Sequence, residues 1–489
     1  MRSSWNVAAA TILLAVLTPP AAQSDVVISN DPTQNMICQS NVCSPTQKDA
    51  VLNAGDLMNL LGSGNVKIST AFRHGKHPRN AGAVLINAPL NWATSNTLDI
   101  DTVEYYLVTQ INSSLTIMGS GGLTVEKNGT INSSITVMGP GALIFKGYAN
   151  LSFNGQINFW DLGGQLYINS TPYTLVGDVP TLITDIAAAA GKGLFALAND
   201  YDAKDDSFRK APIPDFRGTF TGLGHTVSNL TIKKGHGECE GLFSINEGTI
   251  ANIRLRNVAV TSATQRYVGA VAGCNGSSAG GGNINNVAVE GTVNGGADAD
   301  VGGIAGINTH VGNSSIEQAS ASVSVSGGQA GGVVGENDGS IDQAYASGSV
   351  VGQSNAGGLV GANKNSISST YTMASVNGNS GATGGLAGFN SANIVDSYST
   401  GAVTGTGYLG GLVGYNPNES VSNSYWDLDT SGIGDPNQGS GFPKNDPSPV
   451  GLTTAQLQKR LPFGFRRFFW QQDANINNGF PYLRNVPPQ

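Results

Sequence analysis

A short motif occurs six times in this chain at nearly constant spacing. The copies, at residues 268–273, 301–306, 330–335, 356–361, 383–388 and 409–414, end at glycines that lie 33, 29, 26, 27 and 26 residues apart. A divergent copy at 241–245 precedes them, in which Ser244 takes the place of the final glycine. The residue two positions beyond the final-glycine position of each copy is an asparagine: Asn246, Asn275, Asn308, Asn337, Asn363, Asn390 and Asn416. One repeat of this length cannot bury its apolar residues alone, so the repeats must stack.

A second periodic feature accompanies the later copies. An aliphatic residue is followed four positions later by a tyrosine, which gives Tyr345, Tyr371, Tyr398 and Tyr425. Glycine, asparagine and serine separate the apolar stretches, so each repeat is predicted to contain three short β-strands and no helix.

These patterns predict an all-β fold, a right-handed parallel β-helix. Equivalent strands would pair in parallel about 4.8 Å apart, so that one asparagine amide hydrogen-bonds to the next and the tyrosine rings stack. Composition agrees, since 67 of 489 residues are glycine and only 12% are charged. So many glycines disfavour long helices, their clustering differs from that of collagen, and the low charge argues against disorder.

The rest of the chain divides around this repeat region, residues 215–426. Residues 111–125 recur at 131–145, a shift of 20 residues, which predicts an earlier solenoid segment over 25–177. Between the two segments, 178–214 should contain a short helical insertion at 178–191 and an acidic loop. Residues 427–489 should form a Gly/Pro-rich linker, a short helix that Thr454 caps and that continues through Arg460, and an end cap in which Phe463, Phe465, Phe468, Phe469 and Trp470 close the solenoid.

The first 24 residues have the features of a cleaved export signal. Arg2 precedes an apolar run at 7–17, and small residues follow Pro19 and Pro20. No other apolar stretch is as long, so an integral membrane protein is not expected. Export agrees with the cysteines: Cys38 and Cys43 are close enough to form a disulfide, whereas Cys239 and Cys274 either pair across adjacent coils or remain buried thiols.

The repeat Gly-Gly-Leu-Val-Gly-x-Asn, preceded by residues 220–232, resembles the GLUG-motif repeats of large bacterial surface proteins of the filamentous-haemagglutinin type. The resemblance covers about residues 215–426, and the segment around Cys38 and Cys43 is similar to the leader regions of such proteins. It implies a secreted or cell-surface protein of a Gram-negative-type bacterium with an adhesive or matrix role. It implies no reaction, and the route across an outer membrane stays open.

Motifs that would carry chemistry are weak. Residues 276–280 match a nucleophile elbow and 405–410 a dinucleotide-binding fingerprint, but neither precedes a helix. His74 and His77 have a metal-compatible spacing among basic neighbours, and the best acidic patch is Glu336, Asp338 and Asp342.

Two acidic loops are weak candidates for calcium. Asp200, Asp202 and Asp205 lie in one loop, and Asp427 and Asp429 lie in the other. Both lack the glutamate that closes an EF-hand, so solvated turns are the simpler interpretation. Apart from weak calcium binding, no cofactor is expected.

The sequence therefore predicts a noncatalytic, adhesin-like protein whose partner is an extracellular surface, a glycan or a matrix component, with self-association open. Nucleic acid is not an expected partner, because the net charge is −8 and no basic stripe extends beyond Arg466 and Arg467. The alternatives are a polysaccharide lyase or hydrolase on the same scaffold, and a structural matrix component.

Overall fold

The computed structural model describes residues 25–74, 77–80, 82–104, 106–147, 151–233, 237–264 and 266–488. This part of the chain is nearly all β structure, and most of its strands pair in parallel. Strands at equivalent positions of successive repeats lie side by side, which is consistent with a β-solenoid. The predicted export signal, residues 1–24, lies outside the described residues.

The N-terminal segment is built from coils of three short strands. Residues 20 positions apart pair in parallel, as Leu115 with Ile135 and Leu123 with Leu143 show. Its strands are Val26–Ser29, Met36–Gln39, Val42–Pro45, Ala50–Asn53, Val66–Ser69, Ala71–His74, His77–Asn80, Val84–Ile86, Leu90–Trp92, Thr97–Asp101, Val108–Ile111, Leu115–Ile117, Gly122–Val125, Asn128–Ile131, Ile135–Val137, Ala142–Phe145, Leu151–Phe153, Ile157–Phe159, Gln165–Ile168 and Thr171–Val176.

A helix that the sequence analysis did not predict, α1 (Ala54–Ser63), closes the first coil. Asn53 caps it by accepting hydrogen bonds from the N–H groups of Gly55 and Asp56, and its Leu57 and Leu61 are buried. The helix packs against the strand Leu90–Trp92, where one more strand of that sheet would otherwise lie. It therefore covers an edge that would expose unpaired backbone groups.

The two solenoid segments are joined in the described structure by direct backbone hydrogen bonds. The N–H of Ile157 donates to the carbonyl of Leu223 at 3.1 Å, and that of Phe159 donates to Ala198 at 2.9 Å. The predicted helix of the insertion is α2 (Val179–Ala188), capped by the Asp178 carboxylate. Its buried face packs into the core of the second segment.

The second segment has three strands per coil in three parallel sheets. Its strands are Leu194–Leu197, Tyr201–Asp202, Ile213–Phe216, Thr219–Thr221, Thr226–Ser228, Thr231–Lys233, Cys239–Glu240, Phe243–Asn246, Thr249–Thr261, Tyr267–Gly269, Ala272–Asn275, Asn283–Asn294, Asp300–Gly302, Ala305–Asn308, Ser315–Gly327, Gln329–Gly331, Val334–Asn337, Ser340–Gly352, Ala356–Gly357, Val360–Asn363, Ile367–Ser368, Tyr371–Thr372, Ser375–Gly378, Ala382–Gly384, Ala387–Asn390, Ile394–Val395, Tyr398–Ser399, Val403–Gly405, Tyr408–Gly410, Val413–Tyr415, Val421–Ser422, Ser424–Asp427, Ser440–Phe442 and Pro449–Leu452. Inward-facing Val, Ile, Leu and Ala from all three sheets form its core.

Residues 453–488 follow the last coil, and we call them the strap. The strap contains α3 (Thr454–Lys459), the antiparallel strands Trp470–Gln471 and Tyr482–Leu483, and a 3-10 helix, Asn477–Gly479. Thr453, rather than the predicted Thr454, caps α3, because its hydroxyl accepts from the Gln456 N–H while the Gln456 side chain accepts from the Thr453 N–H. No helix in the described residues is long and apolar enough to cross a membrane.

Candidate functional site

The seven repeat asparagines form one continuous ladder of hydrogen bonds. Each side-chain Nδ2 donates to the Oδ1 of the next asparagine at 2.8 Å, from Asn246 through Asn416, and all seven side chains are fully buried. The ladder ends at Asp446, which accepts from Asn416 at 2.6 Å. Every amide points the same way, so the ladder ends in an N–H donor. The acceptor of this last donor is a carboxylate rather than another amide.

Three of the four repeat tyrosines stack face to face. The ring centroids of Tyr345 and Tyr371 are 4.8 Å apart, and those of Tyr371 and Tyr398 are 5.2 Å apart. Tyr425 continues the same column in the backbone pairing, but its ring meets Phe465 edge-on.

The strap lies along this tyrosine column, on the side of the solenoid, whereas the sequence analysis placed its aromatic residues at the solenoid end. Three phenol groups donate to strap carbonyls: Tyr345 to Pro487, Tyr398 to Pro481 and Tyr425 to Phe463. Strap side chains pack over the rings, namely Leu457, Phe465, Trp470, Phe480, Leu483 and Val486. A row of stacked tyrosines on the outer face is itself an apolar stripe, and three of the aromatic residues that were expected at the end, Phe465, Phe469 and Trp470, help to cover it.

The tyrosine column continues into coils that the described part of the strap borders but does not cover. Backbone pairing places Ser320 beside Tyr345, then Ala288 beside Ser320, and Arg254 beside Ala288. The side chains thus shrink from tyrosine to serine and alanine where the strap reaches its last described residues. A cavity of about 300 Å³ results, which we call the open groove.

Carboxamides dominate one wall of the open groove. Asn252, Asn286 and Gln318 each lie two residues before the column and adopt left-handed backbone conformations, with φ of 56°, 50° and 51°. Asn286 Nδ2 donates to Asn252 Oδ1 at 2.9 Å. Asn154 and Asn485 line the groove from the N-terminal segment and from the strap.

Arg254 is the one charged residue among the described residues that line the open groove. Its guanidinium donates to the carbonyl of Gly224. With one cation, five carboxamides and the Ser320 hydroxyl, this lining can hydrogen-bond a hydroxyl-rich ligand. The paired carboxylates that hydrolyse glycosidic bonds are absent from this described lining.

A second asparagine ladder, which the sequence analysis missed, approaches the groove from the N-terminal segment. Asn112 donates to Asn87 at 2.8 Å, Asn132 to Asn112 at 2.7 Å, and Asn154 to Asn132 at 2.8 Å. The signal in the sequence is an asparagine after each Ile or Phe that ends the equivalent strand. Unlike the buried ladder, this one is exposed.

The structure contains both cysteine pairs as disulfides, Cys38–Cys43 and Cys239–Cys274. Cys38 and Cys43 lie opposite each other in an antiparallel hairpin. Cys239 and Cys274 join neighbouring coils of the second segment, near Tyr267 and Ile307.

The first predicted calcium loop is occupied by contacts within the chain. Asp200 Oδ1 lies 3.1 Å from Nδ1 of the fully buried His225 and accepts from the Thr226 N–H at 2.9 Å. The other ring nitrogen, Nε2, lies 2.7 Å from the carbonyl of Ile157. Both ring nitrogens of His225 are therefore held by oxygen atoms of other residues.

The other acidic candidates of that loop are Asp202 and Asp205. Asp202 accepts from Asn229 Nδ2 at 2.7 Å. Asp205 does not join Asp200 and Asp202 in a metal-compatible group, since the described residues contain no cluster of three His, Cys, Asp or Glu side chains that could hold a metal ion.

The second predicted calcium loop holds the start of α3. Asp427 Oδ2 accepts from the Thr454 hydroxyl at 2.7 Å, and Asp429 Oδ2 accepts from the Thr454 N–H at 2.9 Å. Both carboxylates therefore connect the last coil to the strap.

Two of the remaining motifs, the elbow-like loop and the acidic patch, form contacts within the chain. Ser277, in the elbow-like 276–280 loop, donates to the Glu247 carboxylate. Lys364 bridges Glu336 at 2.7 Å and Asp338 at 3.9 Å. Burial and then Glu336 raise the pKa of nearby Asp300 to about 7. The side chains of His74 and His77 lie outside the described part.

No family model matches the chain. Part of the chain is similar to halomucin of Haloquadratum walsbyi, with 36% identity over 137 residues. That match covers 27% of this chain and about 1% of the length of the halomucin.

Among solved structures, the chain is similar to a Bacteroides ovatus protein provisionally named an immunoglobulin A1 protease. The TM-score is 0.44 and the identity 17%, over 64% of this chain and 93% of that one.

Proposed function

We propose that this chain is a right-handed parallel β-helix with GLUG-type repeats that acts outside the cell as a noncatalytic, adhesin-like protein. We infer further that it binds glycans in the open groove. The observation that carries the proposal is the chemistry of this groove, where carboxamides, a hydroxyl and one guanidinium converge on a cavity of about 300 Å³.

Carboxamides suit a sugar because each offers two donors and one acceptor group, matching hydroxyls that both donate and accept. Asn252 and Asn286 are held by hydrogen bonds to neighbouring groups. Binding therefore requires little ordering of these side chains, which lowers the entropic cost of association.

An extracellular location is supported by the two disulfides and by the leader-like first 24 residues. Disulfides persist where the surroundings are oxidising, whereas cytosolic thiols are kept reduced. A Gram-negative-type surface is part of the same proposal and rests on the resemblance to GLUG-repeat proteins.

A glycan array with the full secreted chain and two variants tests the proposal. Ser320→Tyr would extend the tyrosine stack of Tyr345 by one ring and fill the groove, so glycan binding should be lost. Ser322→Tyr is the matched control, because Ser322 is an exposed residue on the same strand that does not line the groove. Equal binding by both variants would show that the ligand lies elsewhere.

The same glycans should be followed for the appearance of reducing or unsaturated ends. Binding without turnover is expected, since the described groove lining lacks a carboxylate. Turnover would favour the polysaccharide lyase or hydrolase, and concentration-dependent assembly without glycan binding would favour a matrix component.

A further inference from the structure

The strap carries positive charge in a chain that is negative as a whole. Lys459, Arg460, Arg466, Arg467 and Arg484 lie within it, against one acid, Asp473, while the net charge of the chain is −8. None of these five cations forms an ion pair with another described residue. Some cations elsewhere do so, as Lys364 does with Glu336.

Four of the cations surround one cavity. It has a volume of about 440 Å³, and Lys459, Arg460, Arg467 and Arg484 line it together with Trp470. Arg484 Nη1 donates to the carbonyl of Arg467 at 3.4 Å, which holds two sides of the cavity together. Like charges repel, so this grouping favours an anionic occupant.

Two phenylalanines beside this cavity are left in solvent. Phe463 is 83% exposed and Phe468 is 74% exposed. Phe463 lines a neighbouring cavity that shares Lys459 and Arg460 with the first, and Phe468 follows Arg467 directly in the chain. Phe465 and Trp470, by contrast, are buried against the tyrosine column. Exposure therefore distinguishes Phe463 and Phe468 from the neighbouring aromatic residues of the strap.

We propose that this face of the strap docks on an anionic lipid surface. We call it the Lys459–Arg484 patch, and it consists of the cations Lys459, Arg460, Arg467 and Arg484 with the exposed Phe463 and Phe468. Phosphate headgroups would enter the cationic cavity, while Phe463 and Phe468 insert at the boundary of headgroups and acyl chains. Cations combined with exposed aromatic side chains are the features that attach a protein to the interface of an anionic bilayer. A soluble polyanion would use the cations but would leave the two phenylalanines in water.

The patch is distinct from the open groove, so the two can act together. The groove lies at the last described residues of the strap, whereas the patch lies around α3 and the hairpin of Trp470–Gln471 with Tyr482–Leu483. A protein attached to a lipid surface by its strap would keep the groove available to a glycan. Neither proposal depends on the other.

Cosedimentation of the full chain with vesicles tests the proposal. Vesicles of phosphatidylcholine with phosphatidylglycerol should bind the protein, pure phosphatidylcholine vesicles should not, and added salt should weaken the binding. Arg460→Gln and Arg467→Gln should each weaken it about fivefold. Lys204→Gln is the control, because this exposed lysine lies outside the patch.

The aromatic part of the proposal has its own variants. Phe463→Ser and Phe468→Ser should each weaken binding about tenfold. Because both phenylalanine side chains are exposed, neither substitution should unfold the protein. Trp160→Ser, at a position that is 71% exposed in the N-terminal segment, should have no effect. Phe468→Trp should also show fluorescence quenching by brominated acyl chains.

Three results would overturn the proposal. These are equal binding to neutral and anionic vesicles, binding to a soluble sulfated polysaccharide but not to vesicles, and vesicle binding that is unchanged in both serine variants.

Discussion

Asn416 donates its side-chain Nδ2 hydrogen to the Asp446 carboxylate at 2.6 Å, and this contact ends the buried asparagine ladder. Asp446 also accepts from the Ser440 hydroxyl at 2.7 Å, and its other oxygen accepts from the Ser448 N–H. Amides that all point one way add their dipoles, with the positive end at the last donor. A carboxylate at that end is therefore the most favourable acceptor, as an anion is at a helix N-terminus.

We expect Asp446→Ala to lower the free energy of unfolding by about 2–3 kcal/mol, because it leaves the buried Asn416 and Ser440 donors unpaired. Asp446→Asn, which keeps an acceptor, should cost less. Urea unfolding followed by circular dichroism measures both. Asp435→Ala is the control, since Asp435 is exposed and accepts from the N–H of Asn437. Equal stability of the alanine variant and the wild type would contradict the role of Asp446.

The strap should loosen when one phenol is removed. The buried Tyr398 hydroxyl donates to the Pro481 carbonyl and accepts from Asn477 Nδ2 at 3.1 Å. Tyr398→Phe should therefore cost about 1–2 kcal/mol and increase amide exchange in the strap, while the repeat coils stay protected. Tyr408→Phe, at a half-exposed position, should leave the exchange pattern unchanged.

Glu240 should make stability depend on pH. Its side chain occupies a core-facing position paired with Val268, its Oε1 has no hydrogen-bond partner among the described residues, and burial raises its pKa from 4.5 to about 7. The folded state thus binds more protons than the unfolded state between pH 4.5 and 7. The stabilisation that Glu240 contributes is fully present below pH 4.5. It falls by about 1.4 kcal/mol per pH unit between pH 4.5 and 7, and above pH 7 it no longer changes.

Glu240→Gln removes this dependence. The variant and the wild type should have similar stability near pH 4.5, and the advantage of the variant should grow up to pH 7. Thermal melts across this range provide the measurement. Glu238→Gln, two residues away with a side chain that is 66% exposed, should follow the wild type at every pH. A constant difference between the Glu240 variant and the wild type would argue against a shifted pKa.

The two disulfides should differ in their effect on stability. Cys239–Cys274 closes a span of 35 residues and Cys38–Cys43 a span of 5. Replacing Cys239 and Cys274 by serine should cost about 3–4 kcal/mol, and replacing the other pair should cost less, because a longer loop loses more entropy on closure. Urea unfolding of both double variants, with and without reductant, compares them. Equal losses would show that loop length does not govern this difference.

The repeat pattern predicts most of the fold because each coil is specified by its own sequence. Spacing alone places the buried asparagines and the tyrosines in register, and it predicts α2 from Asp178 and Pro180. The helix α1 was not predicted, since Gly55 and Gly62 weaken its helical signal and its stability comes from packing on the coil end.

The path of the strap and the open groove could not be predicted in the same way. Which face the aromatic residues cover depends on contacts between Tyr345 and Pro487, 142 residues apart in the chain. The groove exists because Ser320 and Ala288 take positions that tyrosines hold in later coils. The sequence alone does not mark these small residues as the lining of a groove, because the groove is also bounded by the strap.

The Asp200 loop provides a final prediction about metals. Its carboxylate is engaged by the Thr226 N–H and by His225 at the joint between the two solenoid segments. Asp200→Ala should therefore lower the free energy of unfolding by about 2 kcal/mol, since it leaves Nδ1 of the buried imidazole without its partner. The wild type should melt at the same temperature in excess calcium and in chelator, because Asp200 serves the joint rather than an ion. A lower melting temperature in chelator would instead assign calcium to this loop, and Asp205→Ala, which leaves the His225 contact intact, would then show the same loss.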